Sequence, residues 1–261
     1  MRDYRNYKIA IWILSLLVVI ESILLIRLLA GRPKKITKVP FAVKGKIAIV
    51  IDDWGYNLDN LYILDQIKYP LTAAVLPNIN YSKAIAEALH KRGFQIILHL
   101  PLEPYEKLRL EQNTIMTSMD EATIKKIIQK DLVNVPFVLG ISNHMGSKAT
   151  EDLRLMEIIF KELKRRKLYF LDSIVSSKSI CSELAHKRHI LFTKRDIFLD
   201  NEEEPEYIKR QIYKLKAKAQ IYGEAVGIGH DRRITLEVLK EVLPELEKEG
   251  FKFVFISDLV K

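Results

Sequence analysis

Two carboxylates, Asp52 and Asp53, stand side by side at the end of the apolar run 47–51 in KIAIVIDDWG. Adjacent acids repel if both are ionised, so a bound cation, a basic partner or a shared proton would relieve them. A helix cap and a water-facing acid account for a lone pair equally well. The same pattern recurs along the chain. His99 follows the apolar IIL of 96–98, His144 follows FVLGISN, Asp172 follows LYFL, Arg195 lies just past 189–193, and His230 follows AVGIG. Three of the six histidines therefore close apolar runs. If those runs are parallel strands of one barrel, their polar ends converge on one mouth, the end where such barrels carry their chemistry.

Two imidazoles and one carboxylate form a ligand set for a catalytic metal with a position left for water. Asp53, His99 and His144 are the expected set. Zinc is the leading ion, and nickel, cobalt, iron and manganese accept the same donors. A divalent ion lowers the pKa of a water it holds. Asp52 is then placed to take the proton, and His230 to protonate a leaving group. Gly227 and Gly229 either let backbone approach the site or serve packing alone.

The elements that must position these residues are legible as alternating patterns. The run 46–51 is rich in β-branched residues and reads as a strand buried on both faces. Side chains alternate along a strand, so Asp52 and Asp53 are expected to point in different directions. Further strands are expected at 71–76, 94–99, 137–142, 168–172, 189–193, 224–229 and 251–256. Helices are expected near 58–67, 80–92, 119–133, 151–166, 177–187, 205–220 and 232–249. Ser118 and Glu121 have the spacing of a capping box. Pro205 suits a first helical position. Gly93 and Gly250 suit helix C-termini. Repeated β-then-α units imply a parallel sheet with right-handed crossovers. The expected fold is α/β, a deformed (β/α) barrel of about seven parallel strands, with an open doubly wound sheet as the alternative.

Residues 9–29 form an apolar stretch long enough to cross a bilayer, interrupted by Glu21 and Arg27. The expected organisation is an N-terminal membrane anchor at 1–30, a linker at 31–45 containing Pro33 and Pro40, and one domain at 46–261. Basic residues flank both ends of the apolar stretch, so charge alone does not orient it. The formal net charge is +9, but no basic-aromatic cluster suggests a nucleic-acid partner. No glycine-rich phosphate loop suggests a nucleotide. The single cysteine, Cys181, excludes an intramolecular disulfide.

With these residues assembled, the chain resembles the divergent polysaccharide deacetylase family, a distant branch of the NodB-homology carbohydrate esterases. The matching motifs are AIVIDDWGYN at 48–57, TAAVLPN at 72–78, ILHLPLEP at 97–104, GISNHMGSKAT at 140–150, FLDS at 170–173, RDIFLDN at 195–201 and GIGH at 227–230. The resemblance implies a deformed barrel, usually of seven strands, on an exported or membrane-anchored protein that acts on acetylated cell-envelope polysaccharide. It implies Asp52 as base and Asp53 as metal ligand. The two-histidine motif of better understood deacetylases retains His99 but has Glu103 at the second position. Either Glu103 ligates, or His144 takes over, or metal binding is weakened. Their arginine-proline motif is not visible. Asp172, Arg195 and Glu103 are expected to contact substrate or support the site, and Asp172 is expected to pair with Arg195. The implied activity is hydrolysis of an acetyl amide or ester by water activated on a divalent metal. The alternatives are a non-catalytic glycan-binding or envelope-organising protein and, last, a glycoside hydrolase.

Overall fold

The structure, a computed structural model, describes residues 2–29 and 43–261. Close contacts divide the chain into two units. The first is a single helix, α1 (Arg2–Leu29). Within it, Tyr4–Arg27 is apolar and long enough to span a bilayer, a property shared by membrane anchors and signal sequences. The expected linker lies largely outside the described residues.

The second unit alternates strands and helices. Its strands are β1 (Gly45–Trp54), β2 (Thr72–Val75), β3 (Gln95–Leu102), β4 (Val138–Met145), β5 (Tyr169–Asp172), β6 (Phe192–Lys194), β7 (Ile197–Phe198), β8 (Glu224–His230) and β9 (Phe251–Val254). The helices are α2 (Leu61–Leu64), α3 (Ser82–Lys91), α4 (Glu121–Asn134), α5 (Leu153–Arg166), α6 (Cys181–Arg188), α7 (Pro205–Tyr222) and α8 (Arg233–Lys248). All strand pairs are parallel, in the order β6-β5-β4-β3-β2-β1-β8-β7, with β9 also on β1. Because β8 follows one side of β1, β9 and β2 share its other side, against residues 45–48 and 50–54 respectively. The terminal strands β6 and β7 are separated by only two residues. The sheet therefore curls until one short segment reaches from β5 to β8, with Arg195 N–H donating to Asp172 O and Asp196 N–H to Val226 O.

Burial on both faces explains the continuous apolar runs. Ile47, Ile49 and Ile51 pack outward in the core shared with the helices. The smaller Ala48 and Val50 point into the curl, beside Ala74, Ile97, Leu171 and Ile228. Each buried aliphatic side chain contributes about 1.5–3 kcal/mol, so this double-sided burial fixes the level at which every strand ends.

Three local expectations are corrected. Asp120, not Ser118, caps α4, with its Oδ1 accepting from Thr123 N–H at 2.8 Å; a direct cap one residue before the helix leaves Ser118 no role there. The predicted helix at 58–67 contracts to the single turn α2. The predicted strand at 189–193 begins later, because His189 adopts a left-handed conformation that ends α6.

The correction with most consequence is at the end of β1. Ile51 stands opposite Ala73, but Trp54 stands opposite Val75. β1 thus carries one residue more than its partner, a β-bulge. Asp53 has φ 66°, in the left-handed region that Asp tolerates better than most residues but that still costs about 1 kcal/mol. The bulge breaks the alternation that would have separated the two acids.

Two predictions follow from these backbone and burial features. In the presence of chelator, Asp53→Gly is expected to be more stable than Asp53→Ala by about 1 kcal/mol in denaturant unfolding; an equal or more stable alanine variant would rule out the left-handed bulge. The second concerns Asp131 of α4, which is fully buried. Its Oδ1 accepts from Asn78 Nδ2 at 2.6 Å, while Oδ2 has no partner among the described residues. Burial pushes this carboxyl up to about 6 from a usual 3.8. The folded state therefore takes up a proton between those values, and stability falls as pH rises through them. Relative to wild type, Asp131→Asn is expected to gain about 2 kcal/mol between pH 4 and pH 7.5. A pH-independent offset would contradict this assignment.

Candidate metal centre

The bulge aims both acids at one imidazole. His99 Nε2 lies 3.6 Å from Asp52 Oδ2 and 3.3 Å from Asp53 Oδ1. The expectation that the carboxylates diverge is therefore overturned, for the backbone reason given above. His99 sits on β3 opposite Ser142 of β4. Its Nδ1 pairs with Ser142 Oγ at 2.8 Å, which turns Nε2 toward the acids. A ring nitrogen oriented from behind in this way is typical of a metal-ligating histidine.

His144 lies two residues beyond Ser142 on β4 and so faces the same side. Its Nδ1 is 3.1 Å from Asp53 Oδ1, and its ring meets His99 edge-on with centroids 5.0 Å apart. One donor atom from each of Asp53, His99 and His144 lies within 4.8 Å of the others. Two buried atoms, Asp52 Oδ1 and His144 Nε2, have no hydrogen-bond partner among the described residues. Unpartnered buried polar atoms beside clustered nitrogen and oxygen donors fit a divalent metal ion and its water.

His230 ends β8, in register with Asp52 across the β1–β8 ladder. Its Nδ1 is 2.8 Å from Asp200 Oδ1. Asp200 Oδ2 accepts from the His230 N–H at 2.8 Å and from Thr235 Oγ1 at 2.6 Å. Asp200 is completely buried and was not among the residues the sequence singled out. The available signal was an acid just past a strand, in FLDN, of the same kind as Asp172. The two glycines of β8 have separate reasons. A Cβ at Gly229 would come within 2.9 Å of the Thr235 methyl and 3.5 Å of Asp200 Oδ2, so glycine leaves room for the Asp200 cradle. A Cβ at Gly227 would meet Leu215 at 2.6 Å, which is helix packing.

The charges respond to this geometry. Burial raises the Asp52 carboxyl, His99 opposes the rise, and the neighbouring Asp53 adds to it; the net direction is up. Burial would also raise Asp53, but hydrogen bonds from His144 and His99 outweigh it and hold this carboxyl well below the usual range. Burial works against a charged His230, yet the bond to Asp200 prevails and its pKa rises. Adjacent acids are thereby separated in character, one biased toward holding a proton and the other toward staying ionised.

The remaining expected residues are engaged elsewhere. Glu103 is outside the donor cluster. Its Oε2 accepts from Thr117 N–H at 2.5 Å and Thr117 Oγ1 at 2.6 Å, and its Oε1 from Lys148 Nζ at 2.7 Å. Its carbonyl also accepts from the N–H groups of Lys148 and Ala149. β3 ends at Leu102, so Glu103 leaves with the loop and clamps it, instead of continuing the His99 face. Asp172 is buried, with Oδ1 accepting from Ile174 N–H and Oδ2 from Ser179 Oγ. Arg195 donates Nε to Ser173 O at 2.7 Å and Nη2 to Ile174 O at 2.8 Å, and lies 3.6 Å over the Phe198 ring. Asp172 and Arg195 form no ion pair with each other among the described residues, which corrects that expectation. Both instead hold the turn containing Ile174, whose φ of 47° is strained for a β-branched residue.

Comparison with known proteins agrees with this architecture. ATU2773 from Agrobacterium tumefaciens C58 shares the fold with a TM-score of 0.80 at 20% identity, covering 84% of this chain and 90% of that one. BA3943, a CE4 family pseudoenzyme from Bacillus anthracis, shares it with a TM-score of 0.52 at 14% identity, covering 82% and 65%. YibQ of Escherichia coli (strain K12) is 35% identical over 202 residues, 77% of this chain and 63% of YibQ. The matched region thus spans less than two thirds of that relative. The family model described as divergent polysaccharide deacetylase matches residues 49–260, a stretch that contains the whole donor cluster as well as Asp200 and His230. The chain belongs to the divergent polysaccharide deacetylase family.

Proposed function

We propose that this protein is a metal-dependent deacetylase of a cell-envelope polysaccharide, anchored through α1 with its second unit on the extracytoplasmic side. The observation that carries this reading is the convergence of Asp53, His99 and His144 within 4.8 Å, beside an Asp52 oxygen that is buried and unpartnered among the described residues. Family membership supports a carbohydrate substrate, and the apolar α1 supports membrane attachment.

Asp53, His99 and His144 would hold the ion, and zinc best suits two imidazoles and a carboxylate with open positions. When bound, a divalent metal lowers the pKa of water and polarises an acyl oxygen. Asp52, adjacent and shielded from solvent, takes a proton from the attacking water at its free Oδ1. His230 gives a proton to the departing amine or alcohol. Asp200 keeps Nδ1 of His230 engaged and so presents Nε2 to the site, the same orienting role that a buried acid plays for other catalytic histidines. Ser142 fixes the His99 ring, and the Glu103 clamp fixes the loop that follows β3.

The test is acetate release by the full chain in detergent from partly acetylated chitooligosaccharides. Release is expected to stop with chelator and return with zinc. Asp52→Asn is expected to keep the metal and lose at least about 10²-fold in kcat. A metal-loaded protein that binds these glycans without releasing acetate would favour a non-catalytic glycan-binding protein. New reducing ends would indicate a glycoside hydrolase.

A further inference from the structure

Just past the ends of β1, β2 and β3 lies a groove of about 560 Å³, within the roughly 300–1,000 Å³ common for small-molecule sites. Three segments build it, and two of them follow the strands that carry Asp53 and His99. Tyr56 follows β1, Asn80 follows β2, and Arg109, Glu111 and Gln112 belong to the long loop after β3. Two of its walls therefore leave the strand ends that carry Asp53 and His99. Tyr81 N–H donates to Gly55 O, which ties the first two segments together. The Tyr56 hydroxyl donates to Glu111 Oε1, which ties the first to the third. At the base of that loop the Glu103 clamp holds Thr117 and Lys148. The walls are therefore held in place before any ligand arrives.

The polar groups in this groove are of two kinds. Glu111 is engaged by Tyr56. Arg109, Asn80 and Gln112 are exposed, and their side chains make no hydrogen bond or ion pair among the described residues. Tyr56 is 48% exposed and presents an aromatic face. An aromatic platform with free amides suits the apolar face and the hydroxyls of a sugar ring. A free guanidinium adds a fork that matches a carboxylate.

We propose that this groove is a subsite for a carboxylate-bearing sugar adjacent to the acetylated residue, with Arg109 as its anion contact. Tyr56 supplies the ring contact, and Asn80 and Gln112 supply hydroxyl contacts. The inference rests on the reading of the neighbouring centre as a glycan deacetylase, and its test separates the two.

Two disaccharides that differ by one lactyl carboxylate serve as probes: N-acetylglucosaminyl-N-acetylmuramic acid and N,N′-diacetylchitobiose. Calorimetric titration uses the full chain in detergent, carrying Asp52→Asn to prevent turnover. The acidic disaccharide is expected to bind about tenfold more tightly, the scale of one charge-assisted hydrogen bond. Adding Arg109→Gln is expected to erase that difference and leave the chitobiose affinity unchanged. Arg109→Lys keeps the charge without the fork and is expected to retain part of the preference. Equal affinity for the two probes, binding of neither, or a preference that survives Arg109→Gln would overturn the subsite. Acetate release by the wild-type chain from the same probes is read in parallel. Turnover without preference overturns the subsite alone. Preference without turnover, in metal-loaded protein, overturns the deacetylase reading alone.

Discussion

One imidazole, that of His99, lies between two carboxylates that a regular strand would have sent apart. The left-handed backbone at Asp53 and the extra residue in β1 make that arrangement possible. Two adjacent acids at 3.3–3.6 Å from one ring are stable only if positive charge is shared among them. The histidines provide it as protons, or a divalent ion provides it directly. Around this point four strands contribute: β1 the acids, β3 His99, β4 Ser142 and His144, and β8 His230. The curl of the sheet makes those contributions meet, and burial on both faces sets their common level.

Much of this was legible in the residues. Apolar runs of β-branched type announced the strands, and a histidine or acid at the end of several announced the mouth. Asp53, His99 and His144 are brought together as that pattern implied. The failures have specific physical causes. Period-two alternation cannot anticipate a bulge, so the two acids were assigned opposite directions. The resemblance left Glu103 open as a ligand in place of a second histidine, yet β3 ends at Leu102 and the Glu103 side chain turns into the loop. Asp200 follows a strand of only two residues, too short to stand out as periodic. Asp120 and Ser118 both offer caps near the start of α4, and the nearer one wins.

The buried polar residues near the mouth differ in what they touch. Arg195 and Asp172 are charged, buried to different degrees and close to the mouth, but their bonds go to the turn at 173–179. Asp52 and His144, by contrast, keep a buried polar atom free among the described residues. In an interior where polar atoms are nearly always paired, free atoms beside a cluster of donors are what a ligand site would leave. The same contrast distinguishes the engaged Glu111 from the free Arg109 in the neighbouring groove.

The most direct measurement is the metal content of the full chain purified in detergent and exposed to zinc, beside His144→Ala and Glu103→Gln variants. The account predicts one divalent ion per chain in the wild type, retained in Glu103→Gln and lost in His144→Ala. An ion that survives His144→Ala but is lost in Glu103→Gln would contradict the donor set, and absence of any bound ion in the folded wild type would contradict the metal centre itself.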